Sequence, residues 1–550
     1  MSLTNNDGIE PANSSCSNRL VIAPPGCGKT ELLALTASTL AKELLPHQKI
    51  LALTFSNRSK QNLAARIREE LGDVNFRRYV DVRNFHGHGA EIVRSHGKTL
   101  GISTEFEMPT PRTLGLAFRS YDADAESVAL ADGVLAALKR IPSTDAEIIE
   151  ALEAKGNRLA LDVETARQAA GAMHYGDLLR HAQRLLSVTG IGALYQGRYG
   201  AVLVDEFQDL SVQQLEIALN SSIGHRMFVG DPLQGIYSWA GAQPVEVEAR
   251  LRLICGTPES LTTSYRSSPA VLRVLNGLTR EYGASELLAA DPDSWRDGGA
   301  AASFTWATDD VEAKYIVGAC GALLGRNPEL SIGVITRAAW RRKLIDAEFS
   351  SQSSINFIRW ESAIDDARTV ALLQRAVADL PRGAVVEDLK DASELLIPPN
   401  DPEALGTLRD AIELLANSYQ EGDDLQLKIR QLQVRDPKAV VGPGVHLLNA
   451  HTGKGQQFDW VFMPGLEQGH LPSFLAKSAT ELSEEKRILL VMLSRARHGI
   501  VISRANLLTS KRNTLYASKL SPWWNTVATN TATSHESLKA HILATPICSP

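Results

Sequence analysis

The sequence predicts an α/β protein of two parallel-sheet lobes, each interrupted by a mainly helical insertion. Three observations carry that expectation. Residues 19–71 read as strand, glycine loop, helix, strand, helix, a βαβα opening that implies a parallel sheet with right-handed crossovers. Past Leu261 the strand-and-helix alternation starts again. Two stretches, residues 95–174 and 350–438, lose the strand signal and keep helical periodicity.

A chain of 550 residues exceeds the size at which one core keeps growing. Residues 1–18 are polar and form a loose lead-in. Arg19–Ala23 reads as a strand that runs into PPGCGKT and the helix Thr30–Leu44; Lys49–Phe55 repeats the strand and Asn57–Leu71 the helix, which makes 1–94 the first part of the first lobe. Amphipathic patterns at 121–141, 143–155 and 159–173 fill the insertion 95–174. The lobe resumes over 175–260 with the helix Tyr175–Leu186 and the strands Ala201–Asp205 and His225–Gly230. The second lobe opens over 261–349 with the helix Ser268–Leu278, strand Ala302–Trp306, helix Asp310–Leu324, strand Ile332–Thr336 and helix Ala338–Phe349. Helices at 365–380, 402–418 and 423–434 fill 350–438. The strands Val445–Ala450 and Asp459–Gly465 and the helix Glu484–Ala496 complete the lobe over 439–525. Residues 526–550, rich in Thr, Ser and Ala, read as a weakly ordered tail.

Composition narrows the function classes. A formal charge of −6 gives no global basic field, so any nucleic-acid track is a local groove. Five cysteines without a C-x-x-C pair exclude an iron–sulfur or zinc framework and fit a reducing compartment. No apolar run of about 18 residues is present, so the expectation is a cytoplasmic protein without a membrane partner.

Two stretches carry chemistry. Ala23-Pro24-Pro25-Gly26-Cys27-Gly28-Lys29-Thr30 fits a P-loop, with Ala23 where the simple pattern has Gly. In such a loop backbone N–H groups wrap phosphates, the helix N-terminus adds its positive end, Lys29 reaches the β and γ oxygens, and Thr30 ligates magnesium. A glycine-rich turn before a helix is the bland alternative, and the strand and helix in their required places argue against it. Residues 201–209, AVLVDEFQD, are a buried-strand run ending in adjacent carboxylates. Beside a P-loop, Asp205 becomes a magnesium ligand and Glu206 the base that orients an attacking water. ATP and Mg2+ are the expected cofactors.

Eight segments, in order, resemble motifs of superfamily 1 helicases of the UvrD/Rep/PcrA type. ILALTFSNRSKQNLAARI resembles motif Ia, RNFHGHGAEIV motif Ib, MHYGDLL motif Ic, VDEFQD motif II, VGDPLQGIYSWAGA motif III, TTSYRSSPAVL motif IV, VHLLNAHTGKGQQFDWVFMPG motif V and EEKRILLVMLSRAR motif VI. Any one is weak; eight in order are highly specific. The resemblance implies two RecA-like P-loop lobes and ATP-driven 3′-to-5′ movement on single-stranded DNA, or on duplex with a 3′ single-stranded tail. It also implies Gln234 as the sensor joining γ-phosphate to DNA, Arg266 and Arg495 as arginine fingers, Tyr265 as the adenine-stacking ring and Gln457 as a nucleotide contact. Phe55, Asn57, Phe85, His86, Tyr237, Trp239 and His451 match positions that touch the strand, where aromatic faces accept any base. Phe55 and Phe85 read equally well as core residues.

The pattern also departs from that family. Residues 1–28 hold no Gln to read adenine, and Glu31 stands where close relatives often carry an adenine-stacking Arg. Asn449 replaces a Thr, Gln457 a Glu, and Ala240 the Arg that commonly follows the motif III aromatic. The second insertion is short. These changes motivate an alternative: a nucleotide- and DNA-responsive regulatory ATPase with a nuclease partner subunit, resembling the helicase-like component of Gabija-type antiviral defence. Repair, replication and defence all stay open as pathways, and so does an RNA track, since stacking does not read the sugar.

Overall fold

Two units divide the chain in the computed structural model, Met1–Thr262 and Thr263–Pro550, a boundary two residues from the expected one. The structure describes residues 18–544 apart from 56, 107–116, 119–120, 122, 239–240, 353–354, 361–366, 382, 398–407, 409–410, 413–414, 416–423, 431, 433–440 and 511. Much of the helix expected at 402–418 therefore lies outside the described residues.

In the first unit the short apolar runs become β1 (Asn18–Ile22), β2 (Lys49–Thr54), β3 (Val80–Asn84), β4 (Tyr199–Asp205), β5 (His225–Gly230) and β6 (Glu259–Ser260). They pair all-parallel in the order β3-β2-β4-β5-β1-β6. Every residue of β4 is buried, as expected of a central strand covered on both faces. Register aligns Ile22 with Gly230 and Asp205 with Val229, so the carboxyl ends of β1, β5 and β4 come out side by side. The edge strands β3 and β6 were not expected: VDVRN alternates charge with valine, and ES is two residues long.

The first insertion has its own small core, in which Ala131, Leu135, Ile148, Leu152 and Val163 pack together. Its attachment to the sheet unit is ionic. Lys139 is fully buried and donates to Glu164 Oε1 at 2.8 Å and Asp177 Oδ1 at 2.7 Å. Arg167 pairs with Glu164, and Arg180 Nη2 donates to Asp177 Oδ1 at 2.7 Å. Asp177 sits on the helix Tyr175–Leu186, which matches its expected bounds. Burial by itself would raise the Asp177 pKa; Lys139 and Arg180 outweigh it and hold the carboxyl far below the usual range.

The second unit opens with a small pair, β7 (Thr263–Ser264) and β8 (Leu288–Ala289). Its main sheet uses β9 (Ala300–Thr308), β10 (Ser331–Thr336), β11 (Phe357–Arg359), β12 (Gly444–Asn449) and β13 (Phe458–Pro464). After β14 (Glu467–Gln468) come β15 (Ala496–Thr509), β16 (Leu515–Ala517) and β17 (Lys519–Leu520). The order is β11-β12-β10-β13-β15-β16 with β9 beside β15, parallel except for β16. The helix expected at Ala338–Phe349 is a 3-10 turn, Ala339–Arg342, followed by the helix Lys343–Ser351.

The expected loose tail is a correction. Helices Trp524–Asn530 and His535–Leu543 form there, and Leu538 and Ile542 enter the same core as Ala302, Ile316 and Val501. Thr- and Ser-rich composition misled because two buried side chains one turn apart suffice to dock a short helix.

Candidate nucleotide site and nucleic-acid track

β1 delivers its chain into a loop with two left-handed glycines, Gly26 and Gly28, both at φ 82°. Left-handed backbone is cheap only without a Cβ. Gly28 is the N-cap of the helix Lys29–Leu40 and offers no side chain to cap it, so the first turn's N–H groups face the loop. Ala23 is buried and its N–H bonds Gly230 O at 2.7 Å, which ties the loop base to β5. The alanine thus serves as a strand continuation, and no glycine freedom is needed there.

Lys29 Nζ lies 3.3 Å from Glu206 Oε2. Glu206 itself has φ 56°, left-handed backbone in a non-glycine residue directly after β4. Such strain persists where surrounding contacts hold it, and here the holder is Gln208. Its Nε2 donates to Glu206 Oε2 at 2.7 Å, and its Oε1 accepts from Asp231 N at 2.9 Å. Asp231 Oδ2 in turn accepts from Gln234 Nε2 at 2.9 Å. A continuous polar chain runs Lys29–Glu206–Gln208–Asp231–Gln234 along the carboxyl edge. Burial raises the Asp231 carboxyl above its usual range.

Asp205 is buried, and its Oδ1 has no hydrogen-bond partner. Burial and then the neighbouring Glu206 charge push its pKa up to about 7, against the pull of Lys29. An orphaned carboxylate oxygen is what a hard cation would satisfy. Among the described residues no group of three His, Cys, Asp or Glu side chains is arranged around a metal. A magnesium ion would therefore rest on Asp205, the Thr30 hydroxyl and oxygens of the nucleotide, and the residues present fit it.

Glu31, next to Thr30, meets Arg66 of the helix Asn57–Tyr79: Nε to Oε2 at 2.5 Å and Nη2 to Oε1 at 2.6 Å. An arginine thus stands beside the position where the sequence lacked one.

In the second unit the Gln457 amide, turned so that both its polar atoms are satisfied, accepts from Arg266 Nη2 at 2.9 Å and Nε at 3.2 Å. Tyr265 is half-buried beside it in sequence. Arg495 is buried and donates from Nε to Val491 O at 2.9 Å, from Nη1 to Gln456 O at 3.3 Å and from Nη2 to Ser494 Oγ at 2.7 Å. Asn449 Oδ1 accepts from the backbone N–H of His451 and of Thr452, both at 3.0 Å, so the Asn that replaces Thr builds the turn holding His451.

Known proteins share this organisation in sequence. The UvrD/REP helicase N-terminal domain family model matches residues 4–250, and the UvrD-like helicase C-terminal domain model matches residues 408–506. The chain belongs to the UvrD-like helicase family. It is 25% identical to the ATP-dependent DNA helicase UvrD2 of Mycobacterium tuberculosis (strain H37Rv), over 88% of this chain and 76% of that one. A probable DNA helicase II homolog of Rickettsia felis is 23% identical, covering 88% and 90%. DNA helicase II of Escherichia coli K12 is 28% identical over 48% of this chain and 38% of its own.

Placed on this family member, the strand-contact candidates separate. Phe55 and Tyr237 stack in parallel, centroids 5.6 Å apart and 12° between planes, both half-buried. Phe85 is a correction: it is fully buried in the core with Leu53, Ile92 and Val204, so its ring has no face to offer a base. His86 stacks on Tyr175 at 3.8 Å and 21°, with burial lowering its pKa to about 4. Trp239 and the Asn57 side chain lie outside the described residues. Sequence reasoning missed Gln208, Asp231 and Tyr175. All three stand inside the motif-like segments, but only the pairing of β4 with β5 brings Gln208 and Asp231 together, and only the tertiary fold sets Tyr175 against His86.

Proposed function

We propose that the chain hydrolyses ATP to move 3′ to 5′ along single-stranded DNA in the cytoplasm, separating duplex with a 3′ tail. The polar chain from Lys29 to Gln234 beside the orphaned Asp205 oxygen carries this reading. Glu206, held by Lys29 and Gln208, takes the proton of an attacking water. Lys29 and the N–H groups of the loop Ala23–Gly28 bind and orient the phosphates. Thr30 and Asp205 would hold magnesium, which when bound would supply charge neutralisation on the phosphate oxygens. Gln234, tied to Asp231, links the phosphate end to the strand through Tyr237, three residues on. Arg266 and Arg495 contribute guanidinium charge against the developing phosphoryl charge, with Gln457 orienting Arg266 and Tyr265 stacking on the base.

The test is ATPase activity with and without oligothymidylate, with Lys29→Ala as the dead control, and displacement of duplexes with 3′ or 5′ tails. Stimulation plus displacement of the 3′-tailed duplex alone supports the motor. Stimulation without displacement favours the regulatory-subunit alternative, and no stimulation overturns both.

A further inference from the structure

A cleft of about 660 Å3 opens in the first unit, lined in part by Arg140, Gln183, Ser238 and Gly241. Arg140 follows the insertion helix Ala125–Leu138, while Ser238 and Gly241 belong to the segment after Tyr237. Charge on the cleft walls is matched except at one place. Arg250 is held by Glu216 Oε1 at 2.9 Å and Glu246 Oε1 at 3.0 Å, and Gln243 Nε2 donates to Glu246 Oε2 at 3.0 Å. Arg140 is exposed, and its guanidinium has no carboxylate partner among the described residues.

That guanidinium lies against Gly241, where φ is +97° and a Cβ would come 2.5 Å from Nη2. A glycine at this point leaves the arginine its place. Gln183 also lines the cleft, and its Oε1 is buried with no hydrogen-bond partner. An unmatched cation and an unfilled amide acceptor suit a ligand carrying an anion and an N–H donor, which is what one nucleotide of a strand presents.

The backbone beneath Arg140 is fixed. Lys139, its neighbour, is clamped in the buried ion cluster, and Lys139 O accepts from Gln213 Nε2 at 3.2 Å. We infer that Arg140 binds a strand phosphate next to the Tyr237 segment and that this cleft seats one nucleotide. The insertion thereby supplies a guanidinium beside Gly241. This rests on the single-strand reading above.

The probe is fluorescein-labelled oligothymidylate, titrated into the full chain across a range of salt. Arg140→Ala is expected to weaken binding at moderate salt roughly fivefold to tenfold and to flatten the slope of log K against log salt by about 0.7, the share of one single-strand phosphate contact. Arg140→Lys should keep the slope, since a point charge still releases a counterion. An Arg140→Ala protein with unchanged affinity and slope overturns the inference. So does a lower thermal midpoint with an unchanged slope, which would leave Arg140 only a packing role on Gly241. Failure of the unsubstituted chain to bind the strand overturns the single-strand reading itself and is read separately.

Discussion

Gln208 Nε2 donates to Glu206 Oε2 at 2.7 Å, and this bond holds a left-handed glutamate with its carboxylate toward Lys29. Gln208→Leu removes it and also strips Asp231 N of its acceptor. ATP turnover should fall about 10²-fold, the usual worth of a positioned base. Nucleotide affinity, measured by equilibrium titration, should change little.

Glu206→Gln keeps the shape and removes the base. The variant should bind ATP and oligothymidylate but hydrolyse at least about 10²-fold more slowly. Rapid turnover in a steady-state assay would remove Glu206 from that role.

Gly230→Ala should cost stability without touching the reacting groups directly. A Cβ there would meet Gln208 Oε1 at 2.3 Å and Phe207 N at 2.9 Å, both held in place. Overpacking of this kind costs about 1–3 kcal/mol, read as a drop in the midpoint of chemical denaturation.

Lys139→Met leaves Glu164 and Asp177 buried with one cation fewer. Breaking such a cluster costs about 3–5 kcal/mol. The cluster also sets an acid limit. The Asp177 pKa is depressed in the folded chain, so its stabilisation is fully present above the unfolded value near 4 and drains away as pH falls below it. Denaturation midpoints should therefore drop below about pH 4 in the unsubstituted chain, and less steeply in Lys139→Met.

Phe55→Ala and Tyr237→Ala should each weaken oligothymidylate binding by about 1–2 kcal/mol, within the range for one base–ring stack. Because the two rings face each other at 5.6 Å, the double substitution should cost less than the sum. Full additivity in fluorescence titrations would mean that they serve separate bases.

The central strands were legible because a parallel strand covered on both faces must be an apolar run, as in VLVD of β4 and MFVG of β5. Edge strands escaped that logic. β3 alternates Val with Asp and Arg. β15 is an interior strand and escaped for another reason: its 14 residues begin where the expected helix ended, at Ala496. Phe55 and Phe85 show the same limit at the site. Both follow a strand directly, yet one is half-buried against Tyr237 and the other has no exposed surface.

By itself the sequence determined the P-loop, the acidic strand end and the two-unit plan, since each is written in neighbouring residues whose backbone needs are local: glycine at positive φ, apolar runs in strands, carboxylates where a strand stops. Only the tertiary structure decided which groups act together. Gln208 and Asp231 lie 23 residues apart and meet because β4 pairs with β5. Arg140 reaches Gly241 because buried Lys139 anchors the insertion. Long-range pairing sets such contacts, and no local periodicity encodes it.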